Sequence, residues 1–497
     1  MQPEERLRAL EALSRMGSAG RAESEPVQSF PLTYYPVGEH IFVFDPDVSL
    51  IVGDRGSGKS ELFRAVVQEN LLPAIWRALN PHRAISLDPA QEDWLAGYPL
   101  GTQFADASGL RRFMQDQQAQ PGIIADLWFA YLTRVCTSKM SAGLLARLEQ
   151  LHLLPGGDVD GIYTQFKALR SLPLLALDQL DEELKIANRW LFVSYDELDT
   201  LGAYDWAVMD WAIRGLIDFW VRYSRRWQRI RAKIFIRTDL YHRHSQNYGP
   251  DLIKLTANRV QLTWNRRSLY AMLIKRAANS SDQLAVYCQN AGIRFSQDAQ
   301  LGLIPQLSNE EQARPWIEQM ICLYMGDNIT KGQTFTWLID RIQDGKGQAA
   351  PRPLVRLIEL AAAQELAAPK ASADHLLHPT ALRQALDEVS KEHVLQVNTH
   401  ELPWLSGAVQ RLKGASTPIE RREVERLLEK NWRGSWTPGQ AVDVKPPFTN
   451  KKDMVDYLLE IGVFRQRGKD QLDAPDLFLS GLGLKRKGGV QRRSSRV

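Results

Sequence analysis

The chain has 497 residues, a length that allows roughly two or three domains. Hydrophobic residues make up 44% and charged residues 24% of it, a composition typical of a soluble globular protein. The formal net charge of +4 is too weak to predict a nucleic-acid partner unless the positive residues are clustered. No apolar run approaches the ~20 residues of a membrane-spanning helix, so we expect no membrane partner.

The cysteines and the N-terminus bear on where the protein is found. Cys136, Cys288 and Cys322 lie far apart and match no metal-ligand spacing. Such cysteine usage is typical of a reducing compartment, so we expect a cytoplasmic protein. Residues 1–6 do not have the pattern of a signal peptide.

The stretch from Ser49 to Ser60 reads as a buried strand, a glycine-rich turn and the start of a helix. Its pattern, Gly-x-x-x-x-Gly-Lys-Ser, is that of the phosphate-binding loop. Glycines let backbone N–H groups approach phosphate oxygens, and the helix adds the positive end of its dipole. We expect Lys59 to reach the β- and γ-phosphates of ATP and the Ser60 hydroxyl to bind Mg²⁺. The predicted nucleotide-binding residues are Gly53, Asp54, Arg55, Gly56, Ser57, Gly58, Lys59, Ser60 and Glu61.

The same pattern also arises by chance in an ordinary strand–turn–helix. Here the residues before it, Phe42-Val43-Phe44 and 48–52, are mostly aromatic, aliphatic or β-branched, as a buried strand requires. A helical pattern follows the loop, and we predict one helix over 59–79 that ends before Asn80-Pro81. This context favours nucleotide binding.

A second strand, Trp190–Tyr195, is followed directly by Asp196 and Glu197. Downstream of a phosphate-binding loop, an apolar strand that ends in Asp-Glu is typical of the second half of an ATPase site. We expect Asp196 to hold Mg²⁺ through water and Glu197 to be the general base that polarises the attacking water. The alternative is a strand that ends in exposed acids. For Asp199, a role in the metal shell competes with a cap on the next helix, and we favour the cap.

The remaining elements of this region alternate between strands and helices. We predict strands at 83–87, 232–236 and 259–263, helices at 203–230 and 266–278, and a long helical insertion over 88–189. Such alternation indicates a parallel sheet with helices on both faces and nucleotide outside the carboxyl ends of the strands. The strand 232–236 ends at Arg237-Thr238-Asp239. This tip is expected between the two motif strands, where a polar group can sense the γ-phosphate.

The rest of the chain reads as mainly helical. Residues 283–367 are predicted to be mostly helix, with a flexible segment at 345–350 and a helix that starts at Pro351-Arg352. Further helices are predicted at 379–398 and at 418–432, where Pro418 marks the start, and a Gly/Pro-rich joint follows at 434–447. A helix at 451–461, a strand at 463–466, a turn at 467–470 and residues 471–472 suggest a winged helix.

The C-terminal tail carries only positive charges. They are Lys485, Arg486, Lys487, Arg492, Arg493 and Arg496. The tail is either a solvated end or a contact for the phosphates of a nucleic acid, and the adjacent winged helix raises the weight of the second interpretation.

The order of these motifs resembles the AAA+/STAND group of P-loop ATPases, and is most like bacterial ATPases with a C-terminal winged helix that are often found in anti-phage defence loci. The resemblance covers roughly residues 30–367. It implies that Arg237 to Asp239 form a sensor-1 tip and that Arg352 is a sensor-2 arginine, so both arginines would join Lys59, Asp196 and Glu197 in catalysis. It also implies a homo-oligomer in which Arg243 or Arg259 reaches a neighbour's nucleotide.

A competing family, the ABC ATPases, is set aside. Residues 479–483, Leu-Ser-Gly-Leu-Gly, faintly resemble the signature loop of that family. They lie far after Asp196, whereas the signature of ABC ATPases precedes the Asp-Glu strand.

The sequence thus predicts an α/β fold: a P-loop NTPase parallel sheet with a helical insertion, followed by a helical lid and a small winged-helix-like C-terminal domain. The expected boundaries are an N-terminal helix and linker at 1–27, an ATPase core at 28–265 with its insertion at 88–189, a lid at 266–368, a helical connector at 369–440 and the winged-helix-like domain with its basic tail at 441–497. The expected activity is hydrolysis of ATP with Mg²⁺ by a molecular switch or motor.

Three functions fit such a switch. The first is control of a separate effector, such as a nuclease, in anti-phage defence. The second is a DNA-dependent ATPase in replication, transposition or repair. The third is a signalling scaffold that binds ATP and rarely hydrolyses it, against which Lys59, Asp196 and Glu197 argue. The chain shows no nuclease or deaminase motif, so any effector is expected to be a separate protein.

Overall fold

The computed structural model describes residues 3–17, 26, 28–79, 88–99, 103–117, 120–202, 206–245, 258–368, 375–400, 402–429, 432, 446, 448 and 450–487. They form two compact units. The sheet unit comprises the described parts of Gly20–Thr263 and Phe295–Ile304. The helical unit comprises those of Met1–Ala19, Trp264–Arg294 and Pro305–Val497. The N-terminal helix Pro3–Leu13, expected from the sequence, belongs to the helical unit.

The sheet unit is built on a parallel sheet of five strands. In chain order the strands are β1 (Leu50–Gly53), β2 (Glu92–Tyr98), β3 (Trp190–Tyr195), β4 (Ile230–Arg237) and β5 (Arg259–Leu262). Their order across the sheet is β2-β3-β4-β1-β5, which confirms that β4 lies between the two motif strands. Parallel strands bring their carboxyl ends to one edge of the sheet, and the motif residues collect there.

Both faces of the sheet are buried, because successive side chains of a strand point to opposite faces. Leu50 and Val52 of β1 pack into one apolar core, whereas Ile51 between them packs into a second. In β4, Phe235 joins the core of Ile51 and Ile236 joins the other. The apolar runs noted in the sequence are therefore central strands with a covered face on each side, which confirms the predicted α/β architecture.

Helices surround the sheet. Those described in the sheet unit are Phe30–Thr33, Lys59–Phe63, Leu72–Leu79, Ala107–Asp116, Pro121–Cys136, Ala142–Leu153, Val159–Ala168, Leu172–Ile186, Trp206–Tyr223 and Thr238–Ser245. The run between β2 and β3 confirms that the insertion is largely helical. Its side chains enter the core of the sheet, where the Trp128 indole donates to the carbonyl of Ala212 at 2.9 Å.

Two segments predicted as helical are helical only in part, and one predicted strand lies outside the described residues. The predicted helical interval 88–189 begins with an edge strand, β2, which pairs with β3. Asp, Ala and Gly are poor strand formers, so pairing with β3 rather than local propensity makes this segment a strand. The predicted helix 59–79 is interrupted: a π-helix at Arg64–Gln68 follows Lys59–Phe63, and Asn70 has a φ of 50°. The predicted strand 83–87 lies outside the described residues.

The helical unit follows the sequence expectations closely in its first part. Its described helices are Pro3–Leu13, Arg266–Ser280, Asp282–Asn290, Arg314–Met320, Thr334–Arg341, Pro351–Ala367, Pro379–His400, Leu405–Leu412, Arg421–Glu429, Lys451–Glu460 and Asp476–Leu479. The hairpin of β6 (Phe295–Asp298) and β7 (Gly302–Pro305) interrupts the stretch predicted to be mainly helical. Among the described helices, none is long and apolar enough to cross a membrane.

The C-terminal part combines short strands with helices. The strands are β8 (Ser416–Thr417), β9 (Ile419–Glu420), β10 (Arg465–Arg467), β11 (Gln471–Asp473) and β12 (Lys485–Arg486). The sheet β10-β11-β9 beside the helix Lys451–Glu460 is the helix-and-hairpin arrangement that the sequence predicts. Pro418 does not start a helix, because it joins β8 to β9 and the helix begins at Arg421. Of the tail, residues 488–497 lie outside the described residues.

Candidate nucleotide-binding site

The phosphate-binding loop leaves the end of β1 and turns tightly. Gly56 and Gly58 have φ values of 71° and 89°, in the left-handed region that glycine adopts at little cost. Gly58 is the N-cap of the helix Lys59–Phe63, which continues into the π-helix. A Cβ placed on Gly53 would lie 2.3 Å from the Ser57 Oγ, so the loop folds back closely onto its own strand. Backbone N–H groups in such a turn form a concave surface suited to an anion.

The Lys59 ammonium lies within this loop. Its Nζ donates to the carbonyl oxygens of Gly53 at 2.9 Å and Asp54 at 3.0 Å. Burial, together with the nearby charge of Arg237, lowers the pKa of Lys59 to about 8, although Asp196 and other carboxylates oppose the shift. A phosphate beside this ammonium would favour its charged form. The Lys59 side chain thus lies within the loop, and its contact with nucleotide phosphates stays a prediction.

Asp196 and Ser60 meet at the edge of the sheet. The Asp196 backbone N–H donates to the carbonyl of Tyr98 at 2.8 Å, which ties the end of β3 to β2. Burial raises the pKa of the Asp196 carboxyl to about 6, and a hydrogen bond with the Ser60 side chain opposes this shift. The loop helix and the residue directly after β3 thus bring a hydroxyl close to a carboxylate, although 136 positions separate them in the sequence.

This pair fits Mg²⁺ bound together with a nucleotide. Mg²⁺ prefers oxygen ligands and usually combines one or two protein side chains with phosphates and water. Ser60 and Asp196 offer a hydroxyl and a carboxylate side by side. Among the described residues, no cluster of three or more His, Cys, Asp or Glu side chains is arranged to hold a metal ion. A hydroxyl and a carboxylate leave most of the octahedral positions around Mg²⁺ to phosphate oxygens and water.

The backbone turns sharply at Glu197. Its φ of 50° is uncommon for a residue other than glycine and costs of order 1 kcal/mol. Thr200 holds the turn, because its N–H and its Oγ1 both donate to the Glu197 carbonyl, at 2.9 and 2.8 Å. The Tyr98 hydroxyl lies 3.5 Å from the Thr200 Oγ1. The half-buried Glu197 is thus carried by a braced turn directly after Asp196.

Arg237 ends β4 beside the phosphate-binding loop, in register with Gly53. Its guanidinium binds Asp239 through two hydrogen bonds of 3.0 and 2.7 Å. A third hydrogen bond, of 3.3 Å, runs from Nη1 to Asp199 Oδ2. The arginine side chain is only 13% exposed. We call Asp196, Asp199, Arg237 and Asp239 the strand-tip cluster, because they lie at or just beyond the ends of β3 and β4.

Asp199 corrects a sequence expectation. It lies inside the 3-10 turn Leu198–Gly202, well before the helix Trp206–Tyr223, so it does not cap that helix. Instead it pairs with Arg237 at the tip of β4. The local signal was the Asp-Glu-Leu-Asp spacing, but nothing in the sequence indicates which cation pairs with the second aspartate.

The outer residues of the predicted loop are also placed. Asp54 contributes its carbonyl to Lys59, and Arg55 is half-buried next to it. Glu61 is in the first turn of the helix after the loop. Burial raises the pKa of the Tyr34 hydroxyl, and the charge of Glu61 adds to that rise, so the two side chains are near each other.

The arginines expected to act from outside the loop are in three places. Arg352 is the second residue of the helix Pro351–Ala367 in the helical unit, so the predicted helix start is confirmed. Arg259 is exposed on β5, an edge strand, with its guanidinium 5.4 Å from the ring centroid of Tyr241. Arg243 is in the helix Thr238–Ser245. The roles of all three in catalysis stay predictions.

No family model and no curated protein matches the chain. Among solved structures, it is similar to the ORC2 protein of Aeropyrum pernix in ADPNP–ADP complexes, with 12% identity over 88% of this chain and 86% of that one and a TM-score of 0.35. It is also similar to the Aeropyrum pernix ORC1 protein in complex with DNA, with 12% identity over 95% and 88% of the two chains and a TM-score of 0.33. Neither likeness is close enough to assign a function.

Proposed function

We propose that this protein is an AAA+-like ATPase that binds ATP with Mg²⁺ and uses its hydrolysis as a molecular switch or motor. The observation that supports this most is the parallel pairing of β1 and β3 with β4, which brings Ser60 and Asp196 close together at one edge of the sheet. It brings the phosphate-binding loop and the Asp-Glu strand into one site. If the loop pattern had arisen by chance, there would be no reason for the Asp-Glu pair to lie next to it in the folded protein.

In this proposal each residue has a distinct task. The loop N–H groups and Lys59 bind the β- and γ-phosphates, and Ser60 and Asp196 would hold Mg²⁺, which neutralises phosphate charge. Glu197 takes a proton from the water whose oxygen forms a bond to the γ-phosphorus. The bond from that phosphorus to the bridging oxygen breaks, and ADP and phosphate leave. Arg237 places a positive charge beside Gly53, at the loop.

The test separates binding from hydrolysis. Lys59→Ala should abolish measurable ATP binding in a calorimetric titration, because the positive charge beside the phosphates is removed. Glu197→Gln should keep binding and lower phosphate release by about 10²- to 10⁴-fold, because an amide cannot accept the proton. Lys185→Ala, which removes an exposed lysine of the insertion, is the matched control for charge and should behave as the wild type. Unchanged turnover in Glu197→Gln would contradict the general-base role.

A DNA-dependent ATPase is the second candidate. It is supported by the hairpin of β10 and β11 near the C-terminus, which we call the wing. The hairpin of β10 and β11 exposes Arg467 and Lys469, and the exposed Lys485 and Lys487 follow nearby in the chain. Within the described residues, these cations form no ion pair, whereas Arg465 and Arg486 both pair with Asp473. Exposed, unneutralised cations on a β-hairpin suit the phosphate backbone of a nucleic acid.

Salt dependence tests this candidate. The double variant Arg467→Gln/Lys469→Gln should weaken binding to duplex DNA of any sequence and flatten the log–log salt slope by about 0.9 for each phosphate that the protein no longer neutralises. Lys167→Gln/Lys185→Gln, which removes the same charge from the helical insertion, should leave the slope unchanged. Removing residues 485–497 tests the tail in the same titration. Identical slopes for all variants would reject the wing and the tail as DNA-binding surfaces.

Assembly and effector control complete the proposal. If Arg243 or Arg259 acts in trans in a homo-oligomer, hydrolysis per subunit should rise with protein concentration, since such arginines contribute about 10³-fold or more to turnover. Full activity of a monomer in light scattering with ATP would contradict it. Control of a separate effector in anti-phage defence rests on the sequence resemblance alone. Co-purification of a nuclease that only ATP-bound protein activates is the measurement that supports it.

A further inference from the structure

One ion pair connects the turn of the predicted general base to the tip of the neighbouring strand. Asp199 lies two positions after Glu197, within the turn that Thr200 braces. Its Oδ2 accepts a hydrogen bond of 3.3 Å from the Arg237 Nη1, across 38 positions of sequence. Arg237 is at the end of β4, which pairs with both β1 and β3. A displacement of Arg237 therefore changes the ion pair with Asp199 and pulls on the turn that carries Glu197.

Asp199 and Asp239 do not hold Arg237 equally firmly. Arg237 and Lys59 face the carboxylates of Asp196, Asp199 and Asp239, and all of these groups act on the charge of Lys59. Asp239 holds Arg237 through two hydrogen bonds, and Asp199 through one that is longer. Asp199 is also the more exposed carboxylate, at 25% against 10%. Compared with Asp239, Asp199 is therefore the easier carboxylate for a phosphate oxygen to replace on Arg237.

We propose that Asp199 is a positioning residue for hydrolysis: it competes with the γ-phosphate for Arg237 and aligns that arginine with the Glu197 turn. This inference rests on the proposed ATPase function. With ATP bound, the guanidinium is shared between Asp199 and the γ-phosphate. The position of the guanidinium therefore differs between the ATP-bound and ADP-bound protein. Through Asp199, that difference changes the position of the turn that carries Glu197. ADP has no γ-phosphate, so the ion pair with Asp199 stays undisturbed.

This role predicts effects of opposite sign on binding and turnover. Asp199→Asn keeps the shape of the side chain and removes its charge. Competition for Arg237 is weakened, so affinity for a non-hydrolysable ATP analogue should rise about threefold or more relative to ADP. Alignment of the arginine is weakened too, so kcat should fall while KM also falls, the pattern expected when a substitution relieves a competition that opposes binding in the ground state. Asp126→Asn, which disrupts an ion pair with Lys167 inside the insertion, is the control and should change neither quantity.

A double-mutant cycle tests whether Asp199 acts through Arg237. In an Arg237→Gln background, Asp199→Asn should have no further effect on the ratio of ATP-analogue to ADP affinity. Additive effects in the cycle would overturn the proposal. So would an equal loss of affinity for both nucleotides with a lower Tm, which is the result of a merely structural role. If Asp199→Asn does not fold, Asp199→Glu keeps the charge but displaces it. It should then lower kcat without raising the affinity ratio.

The outcomes separate this inference from the proposed function. If the wild-type protein neither binds ATP nor releases phosphate, the ATPase proposal fails and this one with it. If the wild type hydrolyses ATP and Glu197→Gln stops it, but Asp199→Asn leaves the affinity ratio and kcat unchanged, only the role of Asp199 is rejected.

Discussion

The phosphate-binding loop and the strand-tip cluster lie at the same edge of the sheet but are built in different ways. The hydrogen bonds of Lys59 reach back only six and five residues, to Gly53 and Asp54. The hydrogen bond between Arg237 and Asp199 spans 38 residues. The loop is therefore assembled from one continuous segment. The cluster exists only when β3 and β4 are paired.

This difference predicts how each region responds to damage. A locally built site should be sensitive to changes inside its own segment and tolerant of changes elsewhere. A cluster held by strand pairing should also be sensitive to remote residues that hold those strands. Substitutions that affect either the phosphate-binding loop or the strand-tip cluster, but not both, therefore test whether the two regions are built independently.

The largest effect is expected inside the loop. In Gly53→Ala the new methyl group would lie 2.3 Å from the Ser57 Oγ, 3.2 Å from the Ser57 Cβ and 3.3 Å from the Leu262 Cβ, so Ser57 inside the loop must turn its hydroxyl and move away. A displacement of this kind should weaken nucleotide affinity by about 10²-fold, measured by calorimetry. Gly38→Ala is the matched control, because no atom lies within 4 Å of its added carbon. Equal affinities for the two variants would mean that the close packing of the loop is unimportant for binding.

A remote substitution should affect mainly the strand-tip cluster. The buried Asp181 carboxylate accepts backbone N–H groups of Gln228, Arg229 and Ile230, at 2.7 to 3.0 Å, and so holds the start of β4. In Asp181→Ala these donors lose their acceptor, and the free energy of unfolding should fall by about 3 kcal/mol in urea titrations. At a temperature where the variant is folded, kcat should fall more than ADP affinity, because β4 carries Arg237. Glu182→Ala, at the exposed next position, should match the wild type. Equal losses of kcat and ADP affinity would contradict the separation of the two regions.

The smallest effect concerns the segment that leads into β1. His40 Nε2 lies 3.2 Å from the carbonyl oxygen of Thr263, just past β5. Burial lowers the pKa of His40 to about 4, although that contact and the charge of Glu39 oppose the shift. The unfolded chain therefore binds a proton between pH 6.5 and 4 that the folded chain does not, and stability is lost as the pH falls through this window.

Between pH 7.5 and 5.5 this proton should cost about 1 kcal/mol of unfolding free energy. His40→Gln has no such group, so its loss over the same interval should be smaller than that of the wild type by about that amount. Urea titrations of both proteins at the two pH values make the measurement. Parallel pH dependences would show that His40 is not buried in its neutral form.

The sequence by itself determined the parts of this protein whose chemistry is contiguous. The loop from Gly53 to Ser60 was recognised because its glycines, lysine and serine follow one another. The Asp-Glu pair was recognised because it directly ends an apolar strand. The helix that begins at Pro351 was predicted for the same reason, since proline at a helix start is a local signal. The alternating strands and helices also sufficed to predict a parallel sheet with helices on both faces.

Only the tertiary structure decided the features that depend on partners distant in sequence. β2 is a strand because β3 offers it hydrogen bonds, and its own residues give no such indication. The loop helix breaks after Phe63, where the local pattern predicts a continuous helix. Asp199 pairs with Arg237 because the parallel sheet brings the ends of β3 and β4 together, and no local pattern encodes which acid meets which base. Propensity and spacing act over a few residues, whereas these pairings are selected by packing of the whole sheet.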